Sequence, residues 1–177
     1  MDLTEILTGI GVGLDAYGEY SAGQNQAAMA NGQAQVARAN AAAAQFNAQV
    51  AFENAQITEQ QKQVALEAQD RKAARTIGSM VASYGASGVR VDDGTPLDVL
   101  ADSVATATLD RLTLAYNYDL KIRDYQNQGR LNQMNAANGL LAADAYASSA
   151  NNYSTSGTLN ALATGASGLA SIMKMVG

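Results

Sequence analysis

The side chains of Asp92, Asp93 and Asp98 offer one arrangement that could do coordination chemistry, a hard cation held on carboxylates. They lack the ligand spacing of a calcium-binding loop, and acids beside a turn are ordinarily solvated. The rest of the usual chemical inventory is missing. The chain has 0 His and 0 Cys, which removes imidazole and thiolate zinc sites, His-assisted nucleophiles and disulfides. No phosphate-binding loop or paired-carboxylate motif occurs. The expectation is a protein that is not an enzyme and uses no cofactor or metal.

Chemistry of a different kind is repeated along the chain. Asn40, Asn47, Asn54 and Gln61 recur at intervals of seven, and Gln35, Gln49, Gln56 and Gln63 form a second amide set. Amides are polar enough to face water yet carry no charge. The net charge is −5, and the densest basic run, Arg71, Lys72 and Arg75, follows Glu67 and Asp70 directly. Proteins that grip nucleic acid need an uncompensated basic surface. Rows of amides and scattered acids do not supply one.

The elements that must position these rows are helices. The chain has 177 residues, consistent with one domain, with Phe 2, Trp 0, Tyr 8 and Pro 1. Much of the 47% hydrophobic fraction is Ala, which buries too little area for a thick core. Long helices joined through small side chains fit that composition. Residues 27–83 hold no proline, and Val36, Ala43, Val50, Ile57 and Val64 form an apolar row at intervals of seven. That row is expected to be the seam, with the Asn40, Asn47, Asn54 and Gln61 row on a lumen or solvent face, on a helix of roughly 80 Å at about 1.5 Å per residue.

"YGASGVRVDDGTPLDVLADS" at 84–103 breaks this pattern. Gly85 and Gly88 can close a helix C-terminus in the left-handed conformation. After Gly94, Thr95 reads as an N-cap, Pro96 as the first helical residue and Asp98 as a capping-box acid. Residues 85–95 are therefore expected to be the tip of an antiparallel helical hairpin. With the turn near Val89, residue i should face residue 180 − i.

In the second arm Leu112, Leu114, Tyr116, Tyr118, Leu120 and Ile122 alternate as in a strand. As a helix they form two stripes, Leu109, Leu112, Tyr116 and Leu120 against Leu114, Tyr118, Ile122 and Tyr125. The flanking sequence is not strand-like, which favours a helix that packs on two sides, as inside a ring of subunits. The expected fold is all-α: a long hairpin over 23–150 with a Gly-rich apolar segment at 1–22 and a small-residue helical segment at 151–177, assembling into a ring or tube. The ends suit close packing or a bilayer surface, and neither is apolar enough to span a membrane alone. Acids at 2 and 5 stand where a secretory leader would be basic, so no leader is expected there.

The order of these pieces resembles the small internal virion proteins, or ejection proteins, of short-tailed bacteriophages. The resemblance is carried by "SAGQNQAAMANGQAQ", "AARTIGSMVASYGASGV", "GTPLDVLADS" and "YNYDLKIRDYQNQGRLNQMNAANG", over about residues 20–140. It implies a virion protein that leaves with the genome and helps form a conduit across the host envelope. The partners it implies are further copies of the chain, the portal, other ejection proteins, the host outer membrane, and DNA that passes without sequence-specific binding along the uncharged amide rows. It carries over no catalytic residue, and the basic Lys-rich tail of that class is absent here. Two other readings stay open: an adaptor that remains at the portal or tail, and a host-side pore or scaffold protein.

Overall fold

The computed structural model describes residues 3–92 and 94–176. These residues form two helices, α1 (Leu3–Ala86, 84 residues) and α2 (Thr95–Val176, 82 residues). The all-α expectation holds. Residues 112–122 lie inside α2, so their alternation is that of a helix with two apolar stripes rather than of a strand. Over the described residues, the terminal segments at 1–22 and 151–177 continue α1 and α2 without a break.

The turn between the helices closes α1 by a Schellman motif. The Val89 N–H donates to the Tyr84 carbonyl at 3.0 Å and the Gly88 N–H to the Gly85 carbonyl at 3.2 Å. Gly88 has φ 72°, a left-handed conformation that penalises any side chain. Gly85 stays helical, so only one of the two expected glycines performs this closure.

The start of α2 also differs from the expectation by one residue. The first intrahelical acceptor is the carbonyl of Gly94, which receives the Asp98 N–H at 3.3 Å. Gly94, with φ 65°, is thus the cap, and Thr95 and Pro96 both lie within the first turn. Pro96 still loses nothing there, because the first-turn N–H groups have no intrahelical partner.

The chain divides into two compact units, Met1–Gln45 with Met134–Gly177, and Phe46–Gln133. In the first, α1 and α2 run antiparallel, with Val12 against Gly168, Gly23 against Gly157 and Ala41 against Gly139. In the second they also run antiparallel, with Phe52 against Gly129, Lys62 bonded to Asp119 and Arg111 bonded to Asp70. Within each unit the paired numbers add to 180 or 181, as an early turn near Val89 requires.

The core of each unit is alanine. Ala27, Ala30, Ala34, Ala41, Ala136, Ala143 and Ala150 are buried in the first, and Ala48, Ala51, Ala55, Leu66 and Ile122 in the second. Along α1 the covered positions alternate by four and three, the pattern of an antiparallel coiled coil. A buried methyl contributes about 0.8 kcal/mol, against about 1.5–3 for a Leu or Ile side chain. Small side chains compensate by letting the backbones approach closely and by repeating over many turns.

Candidate functional site

A helix seam needs two apolar rows, one at each alternate step of three and four residues. Ala27, Ala34, Ala41, Ala48 and Ala55 supply one row, and Gly23, Ala30, Ala37, Ala44 and Ala51 supply the other. The expected seam row, Val36, Ala43, Val50, Ile57 and Val64, has amides beside it instead of a second apolar row. It lies outside the pair: Val36 is 61% exposed, Val50 38%, Ile57 50% and Val64 64%, and Ala43 is exposed as well. The arm-to-arm seam is therefore the alanine rows, and the valine row faces away from it. Alanine at both steps was the signal in the sequence; the larger Val and Ile side chains drew attention from it.

The second helix divides its two stripes in the same way. Leu114, Tyr118 and Tyr125 are partly covered and Ile122 is buried. Leu109, Leu112, Tyr116 and Leu120 are 64%, 57%, 58% and 39% exposed. Of the residues expected to pack in the second arm, Ile122 is buried and Tyr118 partly covered, whereas Leu112, Tyr116 and Leu120 are exposed.

The amide row flanks the seam. Asn40, Asn47 and Gln61 are exposed and Asn54 is half-covered, its carbonyl receiving the buried Thr58 hydroxyl at 2.7 Å. Gln35, Gln49, Gln56 and Gln63 are exposed too. From Asn47 to Gln63 the exposed polar residues of α1 are amides apart from Glu53, whereas from Glu67 to Arg75 they are charged.

One charged residue replaces Ala in the seam. Lys62 continues the Ala48, Ala55 row, and its side chain is only 16% exposed. Its ammonium donates to Asp119 Oδ1 at 2.7 Å and lies 3.8 Å from Glu59 Oε1. The hydrogen bond to Asp119, outweighing desolvation, raises the Lys62 pKa above its ordinary 10.5. Sequence inspection missed this pair, although a Lys breaking a seven-residue Ala row marks it.

Of the three acids first considered for a cation, Asp92 is clasped by Arg90 through Nε at 3.0 Å and Nη2 at 2.8 Å. That bond holds the Asp92 carboxyl below its ordinary 3.8. Asp93 lies outside the described residues, and among the described residues no group of three acids is placed to hold a metal. Closer to the seam, an open groove of 260 Å³ is lined by Lys72, Thr76, Asp102, Ser103 and Asp110. No described stretch of helix is long and apolar enough to cross a membrane.

A family model described as the T7 virus internal virion protein gp14 family matches residues 5–176. It spans nearly all of the chain, well beyond the stretch that carried the resemblance to short-tailed-phage virion proteins. Neither a curated protein nor a solved structure matches the chain.

Proposed function

We propose, from the premise that this chain belongs to the T7 virus internal virion protein gp14 family, that it leaves the particle with the genome. Outside the particle it assembles as a ring or tube and helps line a conduit for DNA across the host envelope. It acts as a structural element and not as an enzyme. Its partners are further copies of itself, the portal, other ejected virion proteins and the host outer membrane.

The observation that carries this reading is the division of labour on each helix. Alanines take up the seam, while the large aliphatic residues Val50, Ile57, Val64, Leu109 and Leu112 stay outside it. Large apolar side chains in regular rows on a surface mark sites of association. The exposed Asn and Gln rows are the counterpart for passage. Basic walls would bind phosphates and stall the genome, whereas uncharged amides and a net charge of −5 do not hold it. Because no single described stretch is a spanning helix, the envelope role rests on assembly and on the apolar ends of the two helices.

Comparison of intact and emptied particles tests the first step. The protein should be present before genome release and lost from the particle afterwards; retention would favour the adaptor reading. Leakage of dye from liposomes tests the second. Purified full chain should permeabilise vesicles, and a chain lacking residues 3–14 and 158–176 should not.

A further inference from the structure

The two outward stripes of the unit Phe46–Gln133 differ from each other in charge as well as in residue type. On α1, Glu53 lies three residues after Val50 and four before Ile57, hence on the same face as both. On α2, Arg123 lies three residues after Leu120 and seven before Arg130, again on the outward face. Glu53, Arg123 and Arg130 are all exposed, and none has an ion-pair partner among the described residues. Asp124, four residues after Leu120, is exposed and without an ion pair on that same face, so the α1 face is apolar with one unpaired acid, and the α2 face is apolar with two unpaired bases and one acid, a net positive charge.

We infer that these faces are the two halves of one heterologous contact, in which the α1 face of one copy packs on the α2 face of the next. This rests on the assembly proposed above and specifies its surface. Two α1 faces brought together would juxtapose Glu53 with Glu53, and two α2 faces would join surfaces that each carry a net positive charge. The mixed contact matches opposite charges instead. Being heterologous, it repeats from copy to copy and closes into a ring when the rotation per copy permits.

The levels match when neighbouring copies stand the same way up. The relation that sets Lys62 against Asp119 within the chain then sets residue i against residue 180 − i or 181 − i of the neighbour as well. Val64 meets Tyr116, and Glu53 meets the stretch between Arg123 and Arg130. Ile57 falls level with Arg123 and Asp124, one turn from Leu120.

Cysteine cross-linking tests this directly, because the chain has 0 Cys. Full-length chain carrying Val64→Cys and Tyr116→Cys together is oxidised at a concentration where the unmodified chain assembles by sedimentation. A ladder of covalent multimers is expected, with each single variant giving no ladder and the two singles mixed giving only dimers. Dimers from Val64→Cys alone would overturn the inference in favour of an α1–α1 contact. No cross-link in a chain that still assembles would overturn this surface and leave assembly intact. A chain that never assembles at any concentration would overturn the assembly itself, and this contact with it. A charge exchange gives a second readout. Glu53→Arg alone, and Arg123→Glu with Arg130→Glu, should each weaken assembly about threefold or more, and the three together should restore it. Additive losses without restoration would count against the pairing.

Discussion

Gly23 and Gly157 pack backbone against backbone: a Cβ on Gly23 would stand 2.7 Å from the Gly157 Cα and 2.8 Å from the Tyr153 carbonyl oxygen. Nothing flexible is there to move aside. Gly157→Val should therefore push the helices of that unit apart and cost about 1–3 kcal/mol, seen as a lower thermal midpoint. Gly32, a helical glycine with nothing within 4 Å of an added Cβ, is the control. Gly32→Ala should raise the midpoint, since Ala is favoured over Gly in a helix by about 0.5–1 kcal/mol.

Lys62 and Asp119 supply a pH prediction. The Lys62 pKa is raised above 10.5 in the folded chain. The stability from that pair is complete below the unfolded-state pKa and is lost as pH rises through the folded-state value. An alkaline melt series should show the natural chain losing stability above pH 10.5 more steeply than Asp119→Ala, which has already lost the bond. At neutral pH Asp119→Ala should melt lower than Asp124→Ala, a nearby exposed acid with no ion pair among the described residues.

At the turn, Gly88 and Gly85 separate by conformation. Gly88→Ala must adopt φ near 72° and should cost about 1 kcal/mol. Gly85→Ala sits in helical backbone with open space around it and should be neutral or stabilising. Thr95→Ala should change the midpoint by less than the roughly 1 kcal/mol expected of a lost N-cap, because the Gly94 carbonyl begins the helix. All three are read from urea or thermal unfolding of the full chain.

Val50→Asp and Ile57→Asp distinguish an internal seam from an outward face. Both residues are exposed, so the monomer should melt within about 0.5 kcal/mol of the natural chain. Assembly, followed by sedimentation, should be lost. A large fall in monomer stability would instead place these residues inside the pair.

The properties legible in the residues alone are those that short stretches of chain settle locally. Ala-rich, proline-free runs make helices, and Gly88, Gly94 and Pro96 place one turn between them. That turn sets the register, with paired numbers summing to 180 in Gly23 with Gly157 and to 181 in Lys62 with Asp119. The same local logic identified the alternation at 112–122 as helical, because its flanks make no strand.

Which face each helix turns inward is settled by the packing of the two helices on each other. Val36, Val50, Ile57 and Val64 outrank alanine on any hydrophobicity scale, yet they remain outside. The choice depends on both helices together: Ala136, Ala143, Ala150 and Gly157 leave room for a close approach by rows of Ala and Gly on α1, and Gly129 leaves room for the Phe52 ring. Lys62 came inward for the same reason, since Asp119 stands opposite to receive its proton donor. Packing is a property of the pair of surfaces, and no single helix contains it.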